Sequence, residues 1–334
     1  MQESVVHATT TTRSGHRLSE TDARKIWTLA LSAAARKAEN VSDLSDLLLN
    51  MPSELRSELI DFSAGTSKQG FFLIRGLPVG ELPATPLEHR AGELAEHGSA
   101  GLLTLVADLL GTLVGYEDEK DGTLIHEVHP VPGEEHRIEN SGSVAFDFHT
   151  ENVHHPLRPD FLGLLCLRQD HEGVAATRVA SVREAYALLT DGQRDVLRTP
   201  VFKSAYPTSF SRNIAGPRPS SGLHPVLFGQ EPDLFMRFNS HTTTSDDAVA
   251  SRALRALSEA LEEVCHEVVL APGDLVVVDN HIAAHGRSAF TPRFDGTDRW
   301  LRRCYSLRST PRWAERMMPR PRVLPALMKI TGVL

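Results

Sequence analysis

The spacing of hydrophobic residues predicts helices in the first third of the chain. Between residues 20 and 39 apolar side chains recur every three or four positions, as on one face of an amphipathic helix. These side chains are Ala23, Ile26, Trp27, Ala30, Leu31 and Ala34. Shorter helices are predicted over 41–49 and 52–62, and a core-facing helix over the mostly apolar stretch 100–114. One β-rich segment, 70–76, interrupts this helical part.

Beyond residue 122 the pattern changes to short strand candidates that are separated by glycine and proline. The candidates cover 122–128, 144–148, 162–167, 177–182, 200–205, 234–238, 267–270, 275–279 and 302–307. Helical periodicity returns at 182–189, 193–197 and 246–265. Many short strands at close spacing favour a β-sandwich or barrel over a parallel βαβ sheet.

The order of these elements predicts one domain that is mainly β with flanking helices. A polar lead-in, 1–20, is expected to be loosely ordered, and a single domain is expected over 21–334. Its helical part is predicted to extend to about residue 115. Its β core is predicted from about 122 to 310, with a helical insert at about 240–265.

Composition and charge narrow the possible partners. The chain has 35 Lys and Arg against 43 Asp and Glu, a formal net charge of −8, and its basic residues are scattered, which disfavours nucleic acid. No apolar stretch approaches the roughly 20 residues that cross a bilayer. The N-terminus lacks the basic and apolar regions of a secretory signal, so a cytoplasmic protein is expected. The three cysteines are widely spaced, which argues against a disulfide framework.

His149 and Glu151 are the first candidates for chemistry. They lie two residues apart at the end of a predicted strand, where alternate side chains project to the same face. Both can therefore bind one metal ion. A histidine and a carboxylate at this spacing supply two ligands of the facial triad of two histidines and one carboxylate. That triad holds ferrous iron in oxygenases and leaves coordination positions open.

A third ligand must come from a distant part of the chain. The apolar strand 275–279 is followed by two candidates, His281 and His285, the second at a predicted turn. An oxygenase that used 2-oxoglutarate would also need a cation for the distal carboxylate, because burying that charge unpaired is costly and arginine can pair with it in a bidentate manner. Arg299 is the candidate, since its position beyond His285 suits the next strand of a barrel that faces the same interior.

Two stretches of the sequence resemble a known enzyme family. They are FHTENVHHPLRPDFLGLLCLR and VVDNHIAAHGRSAFTPRFDGTDRWLRR, and the resemblance extends from about residue 71 to residue 307. The HTE, HGR and FDGTDRW elements together are similar to those of the clavaminate synthase-like oxygenases, which depend on Fe(II) and 2-oxoglutarate. Within that group the chain most resembles the asparagine and arginine 3-hydroxylases of peptide-antibiotic biosynthesis.

The resemblance implies a fold and a set of site residues. The implied fold is a jelly-roll, or double-stranded β-helix, core of the cupin-like type with extra helices. The implied metal ligands, which also form the catalytic centre, are His149, Glu151 and His285. His285 is preferred to His281 because the glycine and arginine that follow it match the family. The 2-oxoglutarate carboxylate is expected on Arg299 with help from Thr177.

The implied reaction is hydroxylation of a polar L-amino acid at C3 with Fe(II), 2-oxoglutarate and O2, in specialised-metabolite biosynthesis. Desaturation, cyclisation or epoxidation at the same iron is an alternative outcome, and the amino acid could be free or carrier-bound. A non-catalytic jelly-roll protein that binds a metabolite is a second alternative. A zinc hydrolase with the same ligand types is a third, which the lack of an HExxH helix disfavours.

Substrate contacts are implied at positions that match the family. Arg303 resembles the arginine that binds the substrate carboxylate, and Asn140 and Glu119 resemble residues that line the amino-acid pocket. In the stretch PDLFMRFNS the family carries aspartates, whereas this chain offers Arg237 or Asn239. A cation at this place would repel arginine, so we hypothesise that the substrate is acidic, amide-like or a modified amino acid.

Other histidines near these motifs are assigned no ligand role. His154 and His155 follow the HTE element directly and are expected at the surface or behind the ligands. His126, His129 and His136 lie in a polar segment with glycine and proline. They are expected in a solvated loop that contributes to a pocket lid.

Overall fold

Helices dominate the beginning of the chain, as the hydrophobic spacing predicts. A computed structural model describes residues 15–38, 43–89, 94–138, 141–207, 210 and 218–331. The elements of the first part are β1 (Gly15–Arg17), α1 (Glu20–Ala38), α2 (Ser45–Leu49), α3 (Ser53–Ser63), β2 (Phe71–Arg75) and α4 (Gly98–Leu110). Residues 1–14 of the predicted lead-in lie outside the described residues. The last part of this lead-in is not loosely ordered as predicted, because β1 pairs in parallel with β2 and so belongs to a sheet.

The rest of the chain contains most of the strands. These are β3 (Thr112–Tyr116), β4 (Ile125–Val128), β5 (Phe146–His149), β6 (Phe161–Arg168), β7 (Ala176–Ser181), β8 (Lys203–Ser204), β9 (Leu227–Gln230), β10 (Asp233–Met236), β11 (Thr243–Thr244), β12 (His266–Val269), β13 (Leu275–Asp279), β14 (Ala283–Arg287), β15 (Trp300–Leu307) and β16 (Val323–Leu324). The helices are α5 (Val182–Ala185), α6 (Asp191–Leu197), α7 (Ala248–Glu263), α8 (Arg312–Met317) and α9 (Leu327–Thr331). Each strand predicted beyond residue 122 has a counterpart.

The helix predicted over 100–114 is wrong in its last part, which is a strand. Helix α4 ends at Leu110, and β3 begins at Thr112. Gly111 separates the two, and a Cβ atom there would lie 2.2 Å from the backbone oxygen of Leu307. Only glycine therefore allows the chain to turn so close to β15. Apolar periodicity alone could not reveal this change, because both elements are buried.

Two main sheets form most of the β part of the described chain, and β9 with β10 and β8 with β11 form two further two-stranded sheets. The larger has the strand order β1-β2-β13-β6-β15-β3-β16, and β4 also pairs with β15. The smaller has the order β12-β7-β14-β5, and all its pairs are antiparallel. The larger sheet is mixed, because β1 with β2 and β16 with β3 run in parallel.

Alternation along the central strands gives the larger sheet two buried faces. In β13, Val276 and Val278 join one hydrophobic cluster and Leu275 and Val277 join another. The first cluster also contains Val179 of β7, so this face packs against the smaller sheet. Helices α1, α3 and α4 cover the second face. A strand buried on both faces is expected to be continuously apolar, as this one is.

The outer face of the smaller sheet packs against the second group of helices. Phe148, Ala180 and Ala284 contact a cluster that includes Leu257 and Leu261 of α7. The smaller sheet therefore lies between this helical layer and the larger sheet, and its inner face looks into the space between the sheets. Of the helices described here, none combines the length and the apolar character that crossing a membrane requires.

Substituting Gly101 by alanine tests the packing of α4 on α1. An added Cβ would lie 1.8 Å from the backbone oxygen of Ala30, and a backbone atom cannot move aside as a flexible side chain does. We expect Gly101→Ala to lower the free energy of unfolding by about 3 kcal/mol, at the upper end of the usual cost of overpacking. Denaturant unfolding measures this change.

Gly192→Ala in α6 is the matched control. Nothing lies within 4 Å of the added Cβ at Gly192. Alanine is also favoured over glycine in a helix by roughly 0.5–1 kcal/mol, so this variant should be as stable as the parent or slightly more stable. A Gly101→Ala protein that is as stable as the parent would contradict the close approach of α1 and α4.

Candidate active site

The inner face of the smaller sheet brings two histidines and one carboxylate together. His149 in β5 lies directly opposite His285 in β14, and Glu151 follows β5. The two imidazole centroids are 4.1 Å apart, and Nε2 of His285 is 3.6 Å from Oε2 of Glu151. One ligand atom from each residue lies within 4.8 Å of those of the other two. A single ion can therefore contact all three residues.

His285 lies in strand β14 and not at the turn that the sequence predicts. The strand pairs with β7 on one side and with β5 on the other, so backbone hydrogen bonds fix the direction of the imidazole. The following residue, Gly286, explains part of the HGR motif. A Cβ atom there would lie 2.5 Å from the backbone oxygen of Phe146, so any larger residue would push β5 away.

His281, the rival third ligand, is directed elsewhere. Its Nε2 lies 2.9 Å from a carboxylate oxygen of Asp160, and its Nδ1 accepts a hydrogen bond from Arg158 at 2.6 Å. Both ring nitrogens of His281 are therefore engaged in contacts away from His149. The geometry groups His285, and not His281, with the other two candidates.

The His149 imidazole is held in the state that binds a metal. Its Nδ1 donates to the backbone oxygen of Asp147 at 3.0 Å, which leaves the lone pair on Nε2. The ring of Phe146 stacks on it with centroids 4.0 Å apart. Burial, aided by the charge of His285, lowers the pKa of His149 to about 3. The ring is therefore neutral near pH 7, as metal ligation requires.

Glu151 is buried but is held as a carboxylate. Burial raises its pKa, yet the charge of Arg303, with a smaller contribution from nearby His285, outweighs burial, so the pKa lies below its usual value. Asn280, which is also buried, fixes the Glu151 backbone from both sides. Its Oδ1 accepts from the Glu151 N–H at 2.6 Å, and its Nδ2 donates to the Glu151 carbonyl at 3.1 Å.

The donor set and its surroundings fit a ferrous ion. Two imidazoles and one carboxylate form the set of the non-haem iron facial triad. One cavity borders His149 and His285, and another borders His149 and Glu151. An ion at this cluster would therefore have protein ligands on one side and space for small molecules on the other.

Arg303 connects this cluster to a second buried carboxylate. Its guanidinium lies 3.4 Å from Glu151 and 2.7 Å from Oε1 of Glu119, and it donates to Nδ1 of His126 at 3.0 Å. The Tyr305 hydroxyl donates to the same Glu119 oxygen at 3.2 Å. His126 is only 1% exposed, so the solvated loop predicted for it is wrong. It is buried because β4 pairs with β15.

The smaller cavity, of about 50 Å³, lies between the two histidines and β15. The predicted cosubstrate residues Thr177 and Arg299 both line it, and so does Arg287. Arg299 is buried, and none of the carboxylates in the described part of the chain forms an ion pair with it. A buried guanidinium without a counterion favours an anionic ligand.

The larger cavity, of about 290 Å³, opens on the other side of His149 and Glu151. Its size is near the lower end of small-molecule sites, which span roughly 300–1,000 Å³. Two predicted substrate residues, Arg303 and Glu119, line it next to the metal cluster. Oε2 of Glu119 is buried and has no hydrogen-bond partner among the described residues. The third predicted residue, Asn140, lies outside the described residues.

The fourth predicted substrate residue, Arg237, lies behind the wall of this cavity and does not line it. Its Nε donates to the backbone oxygen of Val153 at 2.6 Å. Asn239, the alternative at this place, does line the cavity. Asn239 forms an isolated antiparallel bridge with His149, so its backbone lies beside the metal cluster. Of the two alternatives that the sequence offers, the cavity lining includes Asn239 and not Arg237.

Sequence reasoning missed polar residues that line the cavities. His154 is 3% exposed and lines the larger cavity with its Nε2 unpartnered among the described residues, whereas the sequence suggests a surface or supporting position. Thr242 lines the same cavity, and its Oγ1 is likewise buried and unpartnered within the described ranges. No periodic pattern points to either. Arg287 shares a strand face with His285, but the turn predicted at His285 concealed this relation.

The chain matches a known enzyme family over most of its length. Residues 37–305 match the description "Taurine catabolism dioxygenase TauD, TfdA family". L-asparagine oxygenase of Streptomyces coelicolor is 38% identical over 285 residues, which are 84% of this chain and 84% of the relative. Clavaminate synthase 2 of Streptomyces clavuligerus is 34% identical over 268 residues, which are 79% of this chain and 82% of the relative.

A solved structure is similar to the chain over nearly its whole length. It is asparagine oxygenase in complex with Fe(II), 2S,3S-3-hydroxyasparagine and succinate. The TM-score is 0.86 at 36% sequence identity, and the match covers 94% of this chain and 100% of the other. The fold and the placement of its elements are therefore shared with an iron oxygenase.

Metal titration distinguishes the two candidate histidines. We expect the parent protein to bind one Mn(II), a divalent ion that accepts nitrogen and oxygen ligands. In His285→Ala the affinity should fall by more than about 100-fold, because losing even a residue that only supports a metal ligand typically costs 10- to 100-fold. Calorimetry and the electron paramagnetic resonance signal of free Mn(II) measure the binding.

His281→Ala is the control, since the His281 ring is bonded to Asp160 and Arg158 and points away from the cluster. Its Mn(II) affinity should stay within a few-fold of the parent. Loss of binding in His281→Ala with retention in His285→Ala would contradict the ligand set.

Proposed function

We propose that this chain, which belongs to the taurine catabolism dioxygenase TauD, TfdA family, hydroxylates a free polar L-amino acid at C3. It is a 2-oxoglutarate-dependent non-haem iron dioxygenase that uses Fe(II), 2-oxoglutarate and O2. The resemblance to the clavaminate synthase-like oxygenases is confirmed. The observation that carries the proposal is the buried cluster of His149, Glu151 and His285 beside a cavity that presents both Arg303 and Glu119.

The metal would be held by His149, Glu151 and His285. When bound, iron supplies the activation of O2 that hydroxylation of an unactivated carbon requires. The protein residues contribute position and charge. His149 keeps its proton on Nδ1 through Asp147, and Glu151 stays ionised beside Arg303, so that these two ligands would be ready without rearrangement.

The distal carboxylate of 2-oxoglutarate would bind Arg299 and Thr177 in the smaller cavity. Support comes from the burial of Arg299, which has no carboxylate partner in the described part of the chain, and from its position beside the two histidines. An anion there would neutralise a buried charge. The cavity also borders the ring of His285, so a keto acid anchored at Arg299 would extend toward the metal cluster.

The amino-acid head group would bind between Arg303 and Glu119. Arg303 can form a bidentate pair with a carboxylate, and Oε2 of Glu119 offers a buried acceptor for an ammonium group. The two residues are linked at 2.7 Å, which fixes their relative orientation. An α-amino acid held in this way would direct its first side-chain carbons toward Glu151 and His149, the part of the wall nearest the metal.

The described lining of the cavity offers no unengaged carboxylate for a cationic side chain. Its polar residues include His154, Arg218, Asn239 and Thr242, and its carboxylates are Glu119 and Glu151. Both of these contact Arg303. A positive side chain would therefore be desolvated without a counterion, which is unfavourable. We infer that the substrate side chain is uncharged or anionic, which retains the hypothesis drawn from the sequence but replaces Arg237 by the lining residues.

We also propose that the two stacked sheets form a jelly-roll, or double-stranded β-helix, core within one oxygenase domain over 21–334. Support comes from the cluster that buries the inner faces of both sheets against each other and from the similarity to an iron oxygenase of matching length. The helical layers on the outer faces would then be extensions of this domain. The proposed binding of both head-group charges by Arg303 and Glu119 supports a free amino acid as the substrate.

A panel of free L-amino acids tests the reaction and the charge of the substrate together. Each is incubated in air with the protein, Fe(II) and 2-oxoglutarate, and succinate and product mass are measured. We expect succinate release coupled to a product one oxygen atom heavier. Citrulline and arginine have nearly the same shape but differ in charge. We expect citrulline to exceed arginine in kcat/KM by at least about 10-fold, because an unpaired buried charge costs more than about 1.4 kcal/mol.

The outcomes separate the claims. His285→Ala is the negative control and should release no succinate. If the parent protein releases no succinate with any amino acid, the proposed function is wrong. A product lighter by two hydrogen atoms would indicate desaturation and would contradict hydroxylation. Faster turnover of arginine than of citrulline would contradict only the inference about charge.

A further inference from the structure

We infer that Arg287 is a second anion-binding residue of the smaller cavity and shares the distal carboxylate of the 2-oxo acid with Arg299 and Thr177. The inference rests on the proposed function, because the anion is that of the cosubstrate. It assigns a role to the arginine of the HGR motif, which the metal cluster and the substrate cavity leave unexplained. Arg287 would position the cosubstrate and would not touch the reacting carbon.

Strand pairing places Arg287 beside the predicted cosubstrate residues. Arg287 follows His285 by two positions in β14, so both project from the same face of the sheet. It lies directly opposite Thr177 in β7, and directly opposed residues in antiparallel strands have Cβ atoms only about 4.5–5.5 Å apart. Arg299 approaches from the other sheet, just before β15. Both arginines and Thr177 line the same cavity.

The two guanidinium groups also share an aromatic neighbour. The central carbon of Arg287 lies 5.5 Å from the ring centroid of Phe290, and that of Arg299 lies 5.6 Å from it. Two like charges are therefore held close to one ring in the protein interior. The arrangement places two positive charges in the lining of one small cavity.

The described residues do not neutralise these charges. Arg287 is 7% exposed and Arg299 is 6% exposed, and neither forms an ion pair with a described carboxylate. One nitrogen of Arg287 donates to the Val144 carbonyl at 2.8 Å, while its buried Nε has no partner among the described residues. Asp170, whose charge acts on Arg299, accepts hydrogen bonds from the backbone N–H groups of Val174 and Ala175.

Electrostatics supports the same conclusion. Both guanidinium groups are buried and arginine stays protonated in proteins, so two positive charges lie beside one cavity. Two adjacent buried cations destabilise each other, and a carboxylate bound between them would relieve both. A 2-oxo acid without a distal carboxylate would not provide this relief. Arg287 should therefore act on that carboxylate specifically.

The test compares 2-oxoglutarate with 2-oxopentanoate, which has a methyl group in place of the distal carboxylate. Binding of each to the Mn(II)-loaded protein is measured by calorimetry in the absence of O2. In Arg287→Gln we expect 2-oxoglutarate affinity to fall by about 10- to 100-fold, the effect of losing a charge-assisted hydrogen bond. Affinity for 2-oxopentanoate should be unchanged. Arg287→Lys should fall in between, since it keeps the charge but not the planar fork.

Arg293→Gln is the matched control, because Arg293 is exposed in the loop before Arg299 and should bind both acids like the parent. If Arg287→Gln weakens both acids equally, Arg287 acts only through the backbone at Val144 and the inference is overturned. Unchanged 2-oxoglutarate affinity in Arg287→Gln would also overturn it. If Arg299→Gln also leaves the affinity for 2-oxoglutarate unchanged, the cosubstrate site described under the proposed function is wrong.

Discussion

The antiparallel pairing of β14 with β5 and β7 is the interaction on which the active site depends. Its register places His285 opposite His149 and Arg287 opposite Thr177. Because side chains alternate along a strand, a slip of one residue would turn His285 out of the space between the sheets. The two histidines of the metal cluster and one wall of the cosubstrate cavity are therefore positioned by one set of backbone hydrogen bonds.

Charge then distinguishes the two cavities that this pairing creates. On the cosubstrate side Arg287 and Arg299 are buried without carboxylate partners among the described residues, which favours a ligand that brings its own negative charge. On the substrate side Arg303 already contacts Glu119 and Glu151, which favours a head group that carries both charges. A zwitterionic amino acid and a dianionic keto acid would thus be sorted by electrostatics before they reach the metal.

Sequence patterns could predict most of the longer strands beyond residue 122, because alternation is a local signal, and the HTE and HGR elements suggested the metal ligands. They missed β14, because His285 was expected at a turn. They could not choose between His281 and His285 on physical grounds, since both follow the same strand and only the pairing of β14 separates them. They also left Arg237 and Asn239 as alternatives, because the bridge between Asn239 and His149 is a long-range contact, and they missed the burial of His126, whose neighbours are polar. Local sequence does not reveal which strand a segment will pair with.

The central claim is that three side chains hold one ferrous ion and leave adjacent positions for a keto acid. The most direct measurement is visible absorption of the Fe(II)-loaded protein during addition of 2-oxoglutarate without O2. The account predicts a charge-transfer band that saturates at one 2-oxoglutarate per chain, because the keto acid would bind the metal through two oxygens. Iron that binds to the chain but gives no such band with 2-oxoglutarate would contradict it.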